Sequence, residues 1–148
     1  MSEARQQVWI DAPVPVVWEL LADVDRHPEW WPRVLEVECE GVEPGCTYRQ
    51  LTQTPLGKDK MMLRVDRFEG CEELLIRCVN TGTFFHMVLT EAQDGTFVDG
   101  EAGMEDPRKL QYRLFDAVMG KRYFRNWLDQ SLEALREAAA QRATAGTP

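Results

Sequence analysis

Serine and histidine are nearly absent from this chain. Ser2 and Ser131 are the only serines, one at the terminus and one inside a helical pattern, so no Gly-x-Ser-x-Gly elbow exists. His27 and His86 are the only histidines, and there is no His-Glu-x-x-His motif. Neither common Gly-rich phosphate loop appears. These absences argue against serine hydrolase, zinc protease, nucleotidase and dinucleotide oxidoreductase chemistry, and they predict neither metal nor cofactor. Long apolar runs are missing as well. Nothing approaches the ~18 consecutive apolar residues that a membrane-spanning helix needs. The opening MSEARQQVWIDAP lacks a basic segment followed by an apolar one, so no signal peptide is expected and the default compartment is cytoplasmic. Positive charge is also short. The 17 Lys and Arg stand against 25 Asp and Glu, a formal charge of −8. That balance argues against a nucleic-acid partner, whose affinity rests on phosphate neutralisation. It argues equally against docking on an anionic membrane through a basic face.

What is present is ordinary globular material. The 148 residues are 44% hydrophobic and 28% charged, which predicts one domain with an ordered core over about 5–140 and a frayed tail over 141–148. The four cysteines form no Cys-x-x-Cys knuckle. Cys71 and Cys78 lie in one apparent strand, where seven steps span roughly 23 Å, far beyond disulfide reach. Cys39 and Cys46 flank the turn at 41–45. Free, half-buried thiols are expected there, with a bridge or metal site as the alternative.

Residues 5–11 read as a strand with Val8 and Ile10 on one face. Asp11-Ala12-Pro13 reads as a helix start, with Asp11 as cap and Pro13 in the first turn. Val14, Val17, Trp18 and Leu21 then form one apolar helical face to about Ala22. A second short helix is expected over 26–31, ended by Pro32. From about 34 to 104 the period becomes two, with turn signals every 8–12 residues, as in an antiparallel meander. Leu35, Val37 and Cys39 alternate with Glu36, Glu38 and Glu40. Strands then follow over 46–53, 58–68, 72–79, 83–91 and 96–104. Their apolar faces carry Met61, Leu63 and Val65, then Leu74, Ile76 and Cys78, then Phe85, Met87 and Leu89, and last Thr96, Val98, Gly100 and Ala102. Pro55-Leu56-Gly57-Lys58 and Asp94-Gly95 mark hairpins. Asp106-Pro107 opens a helical region to about Ala140. Leu114, Val118, Lys121, Arg125, Leu128, Leu132 and Leu135 form its 4-3 stripe, which Phe124 and Trp127 widen. Thirty-odd helical residues would be about 50 Å long, so Gly120 is expected to bend or break the helix.

Ile10-Asp11-Ala12-Pro13-Val14-Pro15-Val16-Val17-Trp18-Glu19-Leu20-Leu21-Ala22-Asp23, followed by Pro28-Glu29-Trp30-Trp31-Pro32-Arg33-Val34, resembles the START-like (SRPBCC) superfamily, especially its polyketide cyclase/dehydrase branch. Pro44-Gly45, Gly95-Thr96 and Leu132-Glu133-Ala134-Leu135-Arg136-Glu137 extend the likeness over about residues 5–140. The resemblance implies an α+β helix-grip fold. A curved seven-stranded antiparallel sheet wraps a long C-terminal helix, two short helices follow the first strand, and a deep cavity lies between sheet and helix. The patterning supports this independently, because a sheet with one apolar face needs a cover and only the C-terminal helix is long enough.

The candidate ligand-binding residues are Trp30, Tyr48, Gln50, Leu63, Phe85, Met87, Val98, Met104, Tyr123 and Phe124. Trp30 is either a core staple or an aromatic face at the pocket mouth. Tyr48 and Gln50 share a strand face with Cys46 and Thr52; that face points either into the cavity or to solvent. Met61, Met62, Met87 and Met104 suit either ordinary core packing or an adaptable pocket. Arg122 and Tyr123 are the expected polar pair at the rim. Small residues at Gly100, Ala102, Ala117 and Gly120 are expected to leave room between sheet and helix. His86 should face away from the cavity and His27 should be exposed. Neither has an evident partner for base or nucleophile work, so no catalytic residue is assigned.

Three functions remain open. The first is a carrier or sensor that encloses a hydrophobic ligand such as a polyketide, lipid or quinone. The second is a polyketide cyclase/dehydratase. The third is a protein-partner module, with a homodimer also left open. An outward polar rim favours the carrier. A buried Tyr beside an Arg favours the enzyme. A filled cavity with an exposed apolar patch favours the partner module.

Overall fold

The computed structural model describes residues 2–41, 43–55, 57–105 and 109–145. Strand β1 (Ser2–Ile10) is followed by helix α1 (Val14–Ala22) and a 3-10 segment (Val24–Glu29). A meander then runs through β2 (Val34–Glu38), β3 (Thr47–Thr54), β4 (Gly57–Glu69), β5 (Glu73–Cys78), β6 (Thr83–Ala92) and β7 (Gly95–Met104). Helix α2 (Leu110–Phe115) leads through a π-helical segment (Asp116–Gly120) into α3 (Lys121–Ala145). The strands form one open antiparallel sheet in the order β1-β7-β6-β5-β4-β3-β2. The two short helical segments therefore carry the chain from one edge of the sheet to the other, and the meander brings it back. The expected α+β architecture of a seven-stranded sheet under a long C-terminal helix is what forms.

Alternation places most of the core. Met61, Leu63 and Val65 of β4, Leu74, Ile76 and Cys78 of β5, and Phe85, Met87 and Leu89 of β6 are all buried. Tyr48, Gln50 and Thr52 are buried too, so the polar face of β3 points inward. Strand β2 departs from its expected pattern. A bulge between Val34 and Glu36 shifts the register, so Val34 is buried and Leu35 is left 40% exposed. Asp11 does not cap α1, because Pro13 holds the N-cap position without a side-chain hydrogen bond.

His27 is fully buried, contrary to the expectation of exposure. Its Nε2 lies 2.8 Å from the Leu21 carbonyl, and its ring packs edge-on against the stacked Trp30 and Trp31 with centroids at 5.6 and 4.8 Å. The end of α1 leaves that carbonyl free for a side chain, and the adjacent tryptophans seal the ring from water. Burial lowers its pKa to about 4.

The long helix is not broken at Gly120. The π segment accommodates it, and this rotates the face that the upper half buries. A π turn takes up one residue more than an α turn. Within α3 itself the buried line steps by four from Leu128 to Phe124 and on to Gly120, where the expected stripe stepped by three to Arg125, and the π turn lies above that point. Leu114 and Val118 are exposed at 56% and 79%, and Lys121 and Arg125 also face solvent. The buried line instead runs through Asp116, Gly120, Phe124, Leu128, Leu132 and Leu135. Helix α3 rests on β1 and β7. A Cβ on Gly100 would meet Leu128 Cδ1 at 2.9 Å and the Leu132 methyls at 3.3 Å. Gly100 thus permits close approach of the helix and leaves no void. Ala117 is exposed and leaves none either. Helix α3 extends to Ala145. The Asp106-Pro107 helix start and Leu56 of the hairpin lie outside the described residues.

The segment before β2 is tied to α3 by two indoles. Trp31 Nε1 donates to Ser131 Oγ at 2.8 Å, and Trp127 Nε1 donates to the Pro32 carbonyl at 2.9 Å. Ser131, the one serine in the helical pattern, in turn donates to the Trp127 carbonyl at 2.6 Å.

Candidate functional site

A cavity of about 40 Å³ lies between the β3–β4 end of the sheet and the upper half of the C-terminal helix. Thr52, Asp59, Thr81 and Thr83 form a polar wall, and Phe115, Tyr123, Phe124 and Trp127 form the aromatic one. A smaller space of about 10 Å³, lined by Gln50, Leu63 and Phe85 among others, adjoins it through the shared Met61, Thr83 and Trp127. The larger space suits about three waters. It is much narrower than the deep cavity expected, because aromatic rings fill the interior. Phe85 packs edge-on against Trp127 at 4.6 Å and against Trp31 at 5.2 Å, and Tyr123 lies 5.7 Å from Trp127.

The polar wall comes from strand alternation near the sheet's end. Asp59 is in phase with Met61, Leu63 and Val65, and Thr83 is in phase with Phe85 and Met87. Gln50 Nε2 donates to Thr52 Oγ1 at 2.9 Å, and Thr52 Oγ1 points at Met61 Sδ at 3.1 Å. Thr81 Oγ1 donates to Thr83 Oγ1 at 2.8 Å. Burial raises the Asp59 carboxyl above the ordinary carboxylate range, with Lys109 pulling the other way. Its protonated form is therefore more accessible than that of a surface aspartate.

Tyr123 stands opposite. Its Oη is buried and meets no partner in good hydrogen-bond geometry. Burial raises the phenol pKa, and the Arg33 guanidinium, 4.8 Å from the ring centroid and close enough to act on the hydroxyl as a donor as well as a charge, opposes that shift. Arg33 follows Pro32 and has φ of +72°, a conformation that non-glycine residues adopt only at a cost. The Trp127 bond to the Pro32 carbonyl helps hold this turn. A strained backbone thus sets a cation over a buried phenol whose hydroxyl has no partner in good geometry.

Of the sequence candidates, Met104, Tyr123 and Phe124 line the larger space, and Gln50, Leu63 and Phe85 line the smaller one. Tyr48, Met87 and Val98 are buried in the core and line neither space. The Tyr48 hydroxyl is buried without a partner, and burial drives its pKa far above the phenol range. Trp30 lies away from both spaces. It stacks on Trp31 at 5.1 Å and lines a separate groove with Leu20, Arg26, Ala138 and Arg142. Arg122 is exposed, and Arg33 takes the place beside Tyr123 that was expected for it. Asp59, Thr81, Thr83 and Trp127 were missed. Extending the β4 and β6 alternation toward the strand ends would have found Asp59 and Thr83. No sequence signal points to Arg33, since its role depends on a positive φ. His86 faces away from the cavity, with Nε2 2.5 Å from Glu73 Oε2.

Cys39, Cys46, Cys71 and Cys78 are free thiols. Cys39 and Cys46 both donate to the Gly41 carbonyl, at 3.3 and 3.0 Å. Among the described residues no cluster of His, Cys, Asp and Glu could hold a metal, and no helix is long and apolar enough to cross a membrane.

A family model described as polyketide cyclase/dehydrase and lipid transport matches residues 1–140. No curated protein matches the sequence significantly. Solved structures share the fold. The Zhui aromatase/cyclase from a Streptomyces species superposes with a TM-score of 0.77 at 17% identity, over 97% of each chain. A Thermus thermophilus protein gives 0.77 at 15% identity, over 95% of this chain and 99% of its own. The di-domain aromatase/cyclase StfQ of the steffimycin pathway gives 0.72 at 19% identity, over 96% of this chain and 51% of its own.

Proposed function

We propose that this chain, which belongs to the polyketide cyclase/dehydrase and lipid transport family, binds a hydrophobic, oxygen-bearing ligand of polyketide type between the sheet and the C-terminal helix and acts on it by acid–base chemistry. The observation that carries this reading is Tyr123. A buried hydroxyl without a partner costs stability in the free protein, and a ligand oxygen would satisfy it. The aromatic wall offers flat apolar surface to a ring, and the threonine wall offers hydroxyls to its carbonyls.

The same groups suit loss of water from a β-hydroxy ketone. The Tyr123 phenol would donate to the ketone oxygen, and the Arg33 charge would stabilise the enolate as it forms. Asp59, as carboxylate, would take the α-proton and then deliver it to the β-hydroxyl. The C–H and C–O bonds break, a C=C bond forms and water leaves. Asp59 ends as it began, so the step needs no oxidant or reductant. A carboxyl raised by burial is better matched to both halves of that exchange at neutral pH.

The narrowness of the cavity requires a wall that can move. Helix α2 is that wall. It carries Tyr112 and Phe115 of the lining, buries none of its residues fully, has no side-chain cap, and is joined to α3 by the π segment. Segments with few buried contacts open at low cost.

A carrier function without turnover is the second reading, and the predominantly aromatic lining of the space favours it. The two are separated by one pair of measurements. Flavonoids, quinones and fatty acids are titrated against tryptophan emission, with Trp127 as the reporter. Bound β-hydroxy ketones are then followed by absorbance for the conjugated enone. Saturable quenching at about 10 µM (a binding free energy near −7 kcal/mol) with enone formation supports the enzyme. Quenching alone supports the carrier. No saturable change with any ligand overturns both.

A further inference from the structure

The outer face of the α2–π–α3 segment is unlike the rest of the molecule. Leu110, Leu114 and Val118 are 71%, 56% and 79% exposed and recur every four residues along one line, with Met119 beside them at 42%. No other described stretch exposes large aliphatic side chains in such a row. Exposed Lys109, Arg113, Lys121, Arg122 and Arg125 surround it. The one acid between 109 and 125, Asp116, is buried on the opposite face. This segment therefore carries a concentrated positive charge in a chain whose net charge is −8. The total charge argued against an anionic membrane, but its distribution reverses that argument locally.

We propose that this helical face docks on an anionic lipid surface. Residues 110–118 cover about 12 Å of helix, enough for an apolar edge to enter the boundary between headgroups and acyl chains. Arg and Lys at both ends can lay their stems along that edge and place their charges among the phosphates. The flat aliphatic row has no pocket or aromatic anchor of the kind that dominates protein interfaces. A second copy meeting it face to face would bring like charges together. The inner side of the same helix supplies Tyr112 and Phe115 to the cavity wall, so a docked helix would set the movable wall against the bilayer. The docking proposal does not depend on what the cavity binds.

The test is flotation of the purified chain with vesicles of phosphatidylcholine alone and of phosphatidylcholine with phosphatidylglycerol. Binding is expected only with phosphatidylglycerol, and it should fall at least about tenfold between low and high salt. Leu114→Glu with Val118→Glu should abolish it, and Arg122→Glu with Arg125→Glu should weaken it at least about tenfold. All four positions are exposed, and unchanged circular dichroism would show that the variants fold. Absence of flotation with phosphatidylglycerol overturns the proposal. So does flotation that the four substitutions leave unchanged, which would place the contact elsewhere. A concentration-dependent dimer that Val118→Glu abolishes, without vesicle binding, overturns it in favour of a second copy. Ligand titration without vesicles tests the cavity separately, so the two readings can fail independently.

Discussion

The Arg33 guanidinium lies 4.8 Å from the centre of the Tyr123 ring, while the Tyr123 hydroxyl is buried with no partner in good hydrogen-bond geometry. The two residues are ninety positions apart in sequence. The Pro32–Arg33 turn and the Trp127 bond to the Pro32 carbonyl bring them together. The ring face holds the cation favourably, while the hydroxyl beyond it lacks a partner in good geometry, and that imbalance gives the first prediction.

Tyr123→Phe should leave the chain at least as stable as the native one, because the hydroxyl has no partner in good hydrogen-bond geometry and its nearest donor, Arg33, keeps the ring face. Ligand affinity should fall by about tenfold, and any turnover by more. Urea denaturation and fluorescence titration measure the two effects. A loss of stability above about 1 kcal/mol would mean that the hydroxyl is bonded in the free protein, and the site would lose its main argument.

His27 makes stability depend on pH in a defined direction. Its native pKa is lowered to about 4, first by burial and against the Leu21 carbonyl contact. The unfolded value is about 6.5. Between these values the unfolded chain binds the extra proton, so stability falls as pH falls. The contribution is complete above pH 6.5 and lost by about pH 4, and it amounts to about 3 kcal/mol. The His27 imidazole resonances, followed by NMR, should stay those of the neutral ring at about pH 5.5. A His27 midpoint near 6.5 would mean that the ring is not sealed beneath Trp30 and Trp31.

The close approach of helix and sheet at Gly100 can be tested against a glycine in open space. Gly100→Ala brings a methyl to 2.9 Å from Leu128 Cδ1. It should cost about 1–3 kcal/mol by overpacking. Gly70→Ala meets nothing within 4 Å and has no positive φ, so its effect should stay within about 0.5 kcal/mol. Equal midpoints for the two variants would show that α3 does not rest on β7 at this point.

Gly100 also shows where sequence reasoning succeeds and where it stops. Period-two alternation placed Met61, Leu63, Phe85 and Met87 on the buried face, because strand parity has only two outcomes. The same parity assigned Gly100 inward but was silent on whether a small residue marks a void or a contact. That depends on which helix residue arrives opposite. The heptad stripe held from Leu128 to Leu135 and failed above them, because the step of three or four that follows Leu128 is a free choice on paper and the helix takes four, to Phe124. Leu35 failed through a one-residue bulge of the same kind. His27 was misread because a polar side chain between Arg26 and Pro28 looks like surface, whereas three aromatic rings close over each other there. The candidate site was legible on the strand side and at Tyr123 and Phe124. Arg33 was hidden, because its backbone conformation is imposed by its neighbours in space.

Phe124 tests the placement of the ligand most directly. It is 1% exposed, lines the larger cavity, and lies edge-on to Tyr123 at 5.1 Å and to Phe115 at 6.5 Å. Phe124→Trp adds a ring toward the open space, whereas Phe124→Leu removes one. The tryptophan variant should lose ligand affinity by at least about tenfold, because the space it fills is the space the ligand needs. Its stability should drop by no more than about 1–3 kcal/mol, the usual range for an enlarged core residue, and by the low end of that range if the cavity accepts the ring. The leucine variant should also be less stable, by up to a few kcal/mol, because the smaller side chain leaves Phe115 and Tyr123 without the ring they pack on. It should nonetheless retain or gain affinity for larger ligands. The opposite signs on binding matter here, since both substitutions disturb the core and a merely structural effect would weaken binding in both. Calorimetric titration with the best ligand from the fluorescence screen reads the two affinities. If Phe124→Trp binds as well as the native chain, the ligand lies elsewhere. The groove beside Trp30, lined by Leu20, Arg26, Ala138 and Arg142, would then be the next place to substitute.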